Sequence, residues 1–241
     1  MGSLTLALAC LFVTPAADPA PANAKEALKP FNLFVGKWKG TGIPDTAGGK
    51  PKEFWSETVA WEWHFKGDDV WLTATFDKSP HYKTGDLRYL ADKKAYTFEV
   101  TTTDKKSLTF QGPLTPGKGK EQVLTLDRTD DTAKTTERLV FTLLHSNRYL
   151  YRLDSKPTAA ASFARQFQVG ETKEGESFAD VPKGPECVVS GGTGTMRVTH
   201  GGKTYYVCCS GCRDAFKDEP EKYIKEYEAK LKAEAEKKGK K

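Results

Sequence analysis

Trp55-Ser56-Glu57-Thr58-Val59-Ala60-Trp61-Glu62-Trp63-His64-Phe65 alternates without a break, with Trp55, Glu57, Val59, Trp61, Trp63 and Phe65 on one face and Ser56, Thr58, Ala60, Glu62 and His64 on the other. A period of two belongs to an extended strand, whose successive side chains point to opposite sides. One face here is strongly aromatic, and Trp38 and Trp71 are expected to join it. Such a face either fills the core of a closed barrel or lines a cavity for a small apolar ligand. Glu57, set among the rings, requires a partner or a place near an open end.

Outward from this stretch, strand-like segments recur at 38–43, 53–65, 70–76, 86–90, 95–101, 107–112, 122–127, 137–144, 149–154 and 163–169. The connections Lys66-Gly67-Asp68-Asp69, Ala91-Asp92-Lys93-Lys94, Thr115-Pro116-Gly117-Lys118-Gly119 and Ser146-Asn147 are short, polar and rich in turn formers. Consecutive strands this close pair as hairpins, so the chain is expected to be mainly β, an antiparallel up-and-down meander closed as a barrel or packed as a sandwich. A length of 241 residues accommodates one full-sized domain and a small appendage.

The appendage carries the chemistry. Cys187 is followed by twenty residues, then Cys208, Cys209, Ser210, Gly211 and Cys212. Residues 195–199 and 203–207 read as two short strands around His200-Gly201-Gly202, where glycines accept the positive φ of a tight hairpin turn. A hairpin brings Cys187, Cys208 and Cys212 together, and three thiolates suit a Zn or Cu ion. Cys209 and His200 are further candidate ligands. A disulfide from Cys187 to Cys208 or Cys212 is the competing reading, since it would staple a unit of this size in an exported protein. The C-x-x-C spacing of Cys209 and Cys212 also keeps thiol-disulfide exchange open.

With Gly202, Tyr205, Tyr206, Cys208, Cys212, Phe216, Pro220 and Tyr223 at their spacings, the stretch from Cys187 to Tyr227 resembles the YHS/TRASH family of small metal-binding modules. The resemblance implies sensing or trafficking of copper, zinc or another heavy metal. Cys187-Val188-Val189 departs from the family's usual residues after the first thiol. Near the other end, Asn32-Leu33-Phe34-Val35-Gly36-Lys37-Trp38-Lys39-Gly40-Thr41-Gly42 resembles the G-x-W opening strand of lipocalin-like barrels, among them bacterial families of uncharacterised function and the nitrobindins. That resemblance implies a tryptophan plugging one barrel end. Haem binding of the nitrobindin kind would need a late-strand histidine, and His145 reads as a turn residue.

The remaining text bounds the function. Residues 4–13 are apolar, and Ala22-Asn23-Ala24 fits an export cleavage site before Lys25, although no basic region precedes the apolar run. Cys10 gives only a superficial lipoprotein pattern. The net charge of +5 owes much to lysines in 225–241, which a solvated helix and tail explain without nucleic acid. Beyond the N-terminus no apolar stretch is long enough to span a membrane. Nucleotide-binding, hydrolase and metalloprotease motifs are missing from the sequence, and the carboxylates Glu53, Glu57, Glu62, Asp68 and Asp69 read as solvent-facing or turn residues. The expected layout is a signal peptide (1–24), a lipocalin-like barrel (28–170), a charged linker (171–185), a ββα thiol module with a C-terminal helix whose start Asp218 caps (186–234), and a basic tail (235–241). The expected function is non-enzymatic: an exported, periplasmic or secreted protein that captures, buffers or senses a thiophilic metal, with carriage of a small apolar ligand or thiol-disulfide exchange as alternatives.

Overall fold

A computed structural model describes residues 21, 23–45, 53–145, 147–175 and 184–238. The aromatic strand is β2 (Trp55–Lys66), and its burial alternates as its sequence does through Trp63. It lies between β1 (Gly36–Pro44) and β3 (Asp69–Asp77), followed by β4 (Tyr82–Leu90), β5 (Ala95–Thr102) and β6 (Ser107–Gly112). The short β7 (Leu114–Pro116) precedes β8 (Gln122–Asp130), β9 (Thr135–His145), β10 (Arg148–Pro157) and β11 (Ala164–Lys173). Each long strand pairs antiparallel with the next, β11 returns to β1, and β6 meets β8 at Gln111 and Asp127. The result is a closed antiparallel barrel of ten strands, with β7 as an added edge on β8.

All ten expected strands are present, and the differences lie at their ends. The fourth begins at Tyr82, because a register shift between Tyr82 and Thr84 breaks the alternation that its sequence would otherwise show. β7 falls where a turn was expected. β11 continues to Lys173, into the stretch expected as linker, and pairs Glu171 with Gly40 of β1. Trp71 does not join the interior: its indole stacks on His64 at 5.3 Å and lies under the Arg88 guanidinium on the outer face.

The interior is filled by side chains. Trp38, Trp61, Trp63, Phe98, Phe110 and Phe141 are all almost completely buried. One end is plugged by α1 (Ala24–Leu28) and a 3₁₀ turn over Lys29–Leu33, which lower Leu28, Phe31 and Phe34 onto the rings. Phe34 lies 4.8 Å from Trp61 and 4.5 Å from Tyr149, while Trp38 donates from Nε1 to the Phe34 carbonyl at 2.5 Å. Asn23 caps α1 by accepting from the Glu26 amide, so part of the expected cleavage site is built into this plug. Residues 1–20, including Cys10, lie outside the described residues.

After the barrel, Glu186 bridges to Thr193, and β12 (Met196–His200) pairs with β13 (Lys203–Val207). Gly201 and Gly202 form the turn with φ of +56° and +74°, the left-handed backbone that a two-residue hairpin demands. The helices α2 (Ser210–Asp218) and α3 (Pro220–Lys238) follow. Asp218 ends α2 instead of capping α3, because Glu219 and Pro220 break one helix and start the next. Residues 235–238, expected as frayed tail, remain helical. Among the described residues no helix is long and apolar enough to cross a membrane.

The start of α2 rests directly on β2. A Cβ added at Gly211 would stand 1.6 Å from the Trp63 carbonyl oxygen, so only glycine permits this approach. Ser210 Oγ donates to Glu62 at 2.9 Å, and Lys25 of α1 pairs with Glu226 of α3 at 2.7 Å. Barrel and thiol-bearing residues therefore share one continuous apolar core.

Candidate metal centre

Three segments distant in sequence deliver the thiols. Cys187 lies in the turn after the Glu186 bridge, Cys208 follows β13, and Cys212 sits in the first turn of α2. The sulfurs of Cys187, Cys208 and Cys212 all lie within 4.8 Å of one another, and that of Cys208 is 3.5 Å from that of Cys212. Cys187 and Cys212 are wholly buried and Cys208 is 9% exposed. Three sulfurs each about 2.3 Å from one ion stand roughly 4 Å apart, so a small inward movement would let the group grip a metal. The surroundings are apolar, with Val188, Val189, Val207, Phe216 and Tyr223 all buried. All four cysteines of this region are free thiols.

The two further candidates stand apart. Cys209 Sγ is 3.9 Å from Cys208 Sγ but accepts a hydrogen bond from the Trp63 amide at 3.4 Å and is outside the mutual group of three. His200, at the hairpin tip, places Nε2 2.7 Å from Glu221 Oε1 and its ring edge-on to Phe216, away from that group. Sequence reasoning did not find Ser190, whose amide donates to Cys187 Sγ at 3.4 Å and whose hydroxyl lies 3.4 Å from Cys208 Sγ. It also missed Asn32, which accepts from Trp63 Nε1 at 2.9 Å and donates to the Ser190 carbonyl at 3.0 Å. Asn32 opens the segment that leads to Gly36 and Trp38, and Ser190 follows the first thiol, but no spacing in the sequence marks either for this site. Their roles arise only when the 3₁₀ turn, β2 and the Cys187 loop meet.

Protons are shared unevenly among the thiols. Hydrogen bonding by Cys208, then Cys212, holds Cys187 far below the ordinary thiol range, and the same two partners lower Cys209 to about 3. Cys208 is pushed far up, first by its bond to Cys187, and burial raises Cys212. A soft cation would displace the remaining protons and take over the thiolate charge that burial otherwise disfavours.

No family model matches the chain, and no curated protein matches it.

Proposed function

We propose that the protein binds a thiophilic metal ion, Zn²⁺ or Cu⁺, through Cys187, Cys208 and Cys212, and that it is an exported, non-enzymatic carrier, buffer or sensor of that ion. The observation that carries this reading is the mutual 4.8 Å grouping of three buried thiols drawn from three segments. The sequence resemblance to YHS/TRASH modules supports it for the C-terminal region, and the G-x-W segment supports a lipocalin-like ancestry for the barrel. In this reading the barrel is the platform: β2 and the 3₁₀ turn hold Cys209 and the Cys187 loop through Trp63 and Asn32. A carrier of an apolar ligand would need interior space where Phe34, Trp61, Phe98 and Phe141 now pack against one another.

Titration of the reduced protein with Co²⁺ or Cd²⁺ tests the site, because thiolate-to-metal charge transfer reports sulfur ligation directly. One equivalent with strong charge transfer, lost in Cys187→Ser, is expected. No charge transfer in the wild type would exclude the site. A second reading, thiol-disulfide exchange, rests on the C-x-x-C spacing of Cys209 and Cys212, and the 3.5 Å approach of Cys208 and Cys212 offers it a second pair. Reduction of insulin by the wild type but not by Cys212→Ser would favour it.

A further inference from the structure

The barrel contains a second concentration of chemistry that the thiol site does not use. Glu57 of β2 and Glu171 of β11 are the two strand neighbours of Gly40 in β1, and they are 2% and 0% exposed. Glu57 is therefore buried with a partner, as the alternation of its strand required, and does not join the solvent-facing carboxylates. Glycine at position 40 makes the meeting possible: a Cβ there would stand 2.3 Å from Glu171 Oε1. Both oxygens of Glu57 are engaged, Oε2 accepting from Trp55 Nε1 at 2.7 Å and Oε1 from the Tyr151 hydroxyl. Among the described residues, neither oxygen of Glu171 receives a donor.

Among the described residues, the groups facing the pair supply no positive charge. From β10, Tyr149 faces Glu171 and Tyr151 faces Glu57, and burial pushes both phenols well up. Tyr82 of β4, also raised by burial, and His81 just before it feel Glu57, and burial lowers the imidazole so that it stays neutral. Further along β11, Lys173 directs its ammonium over the Trp38 ring. The influences on Glu171 are burial first and then Glu57, with no cation among them. Two ionised carboxylates in an apolar interior without a cation cannot coexist at modest cost. A carboxyl without donors resolves this by becoming one.

We propose that Glu57 and Glu171 hold a single proton between them across Gly40, and that this shared proton is a latch keeping Trp55 seated on the barrel end. The proton resides on Glu171 and is donated to Glu57, which leaves Glu57 to accept from Trp55 and Tyr151. Trp55 is half-buried, edge-on to His81 at 5.2 Å and to Phe167 at 5.8 Å, beside the exposed Phe54 and Ile43. Transfer of the proton to hydroxide leaves two adjacent negative charges. Their repulsion is relieved by displacing Glu57 and, through its hydrogen bond, the indole. The barrel end opposite the plug then opens as pH rises.

Infrared spectroscopy and tryptophan fluorescence of the full chain test this together. The expected result at neutral pH is a carbonyl stretch of a buried protonated carboxyl in the wild type, missing in Glu171→Gln. Tryptophan emission of the wild type should shift as pH is raised through about 9, and the shift should be lost in both Glu171→Gln and Trp55→Phe. Glu57→Gln, which removes the facing charge and offers an amide donor, should move the transition to lower pH, and it serves if Glu171→Gln does not fold. The same emission shift in Glu171→Gln, or no protonated-carboxyl band in the wild type, overturns the proposal. So does a saturable response to Ca²⁺ or Mg²⁺ at neutral pH that Glu171→Gln abolishes, because a metal would then occupy the place assigned to the proton.

Discussion

Replacing Glu171 by Gln should stabilise the protein, and by an amount that grows with pH. The amide keeps the shape of the carboxyl and can donate to Glu57 as the carboxyl proton does, but it cannot ionise. In the folded protein the Glu171 carboxyl is raised from 4.5 to about 9, by burial and then by Glu57. Between those values the native state retains a proton that the unfolded chain releases. The stabilising contribution is fully present below the lower value and is lost as pH rises to the upper one, at about 1.4 kcal/mol per pH unit. By pH 7 the wild type has given up about 3 kcal/mol through this group alone, a large fraction of the stability of a typical domain. Gln carries none of that loss. Urea unfolding followed by tryptophan fluorescence, at constant ionic strength across the pH series, should give two curves with a small constant offset near pH 4.5 that separate by about 3 kcal/mol at pH 7, the variant being the more stable. Parallel curves across the series, or a wild type that gains on the variant with rising pH, would show that Glu171 does not retain its proton in the folded protein.

Other consequences follow from the junction between barrel and thiols. Gly211→Ala adds a Cβ 1.6 Å from the Trp63 carbonyl oxygen; a helix gains about 1 kcal/mol from this exchange elsewhere, but here α2 must lift off β2, so a net loss of about 1–3 kcal/mol in thermal or urea unfolding is expected. Asn32→Ala leaves the buried Trp63 indole N–H without its acceptor and should cost about 1–3 kcal/mol, with a weaker apparent metal affinity in the same protein. Cys212→Ser should lower metal stoichiometry in Cd²⁺ titration. His200→Ala should leave stoichiometry unchanged and alter stability by less than about 1 kcal/mol, because the histidine's contact with Glu221 is on the surface.

Much of the barrel was legible because its signals are local. The alternation of residues 55–65 depends only on which side chains face inward, and the burial of Val59, Trp61 and Trp63 follows that pattern. The hairpin at Gly201 and Gly202 was equally local. What sequence could not supply was convergence across the sheet. Glu171 looked like the start of a charged linker because its neighbours are polar, yet the pairing of β11 with β1 carries it inside against the space above Gly40. The alternation of β2 placed Glu57 on the aromatic face and called for a partner, yet the Tyr151 hydroxyl that meets it beside Trp55 becomes visible only when β2 and β10 come together inside the barrel. At the thiol site, spacing picked out Cys187, Cys208 and Cys212, whereas the division between Cys209 and the other three depends on the Trp63 amide. Trp71 was misjudged because an aromatic in an adjacent strand suggests the same face, while its strand parity turns it to the Arg88 side.

Elemental analysis combined with a free-thiol count, on native protein purified without an affinity metal or reductant, decides whether the three buried thiols hold a soft metal. About one Zn or Cu per chain is expected, with thiols that become reactive only after chelation. Metal-free protein whose Cys187, Cys208 and Cys212 are locked in disulfides would contradict it.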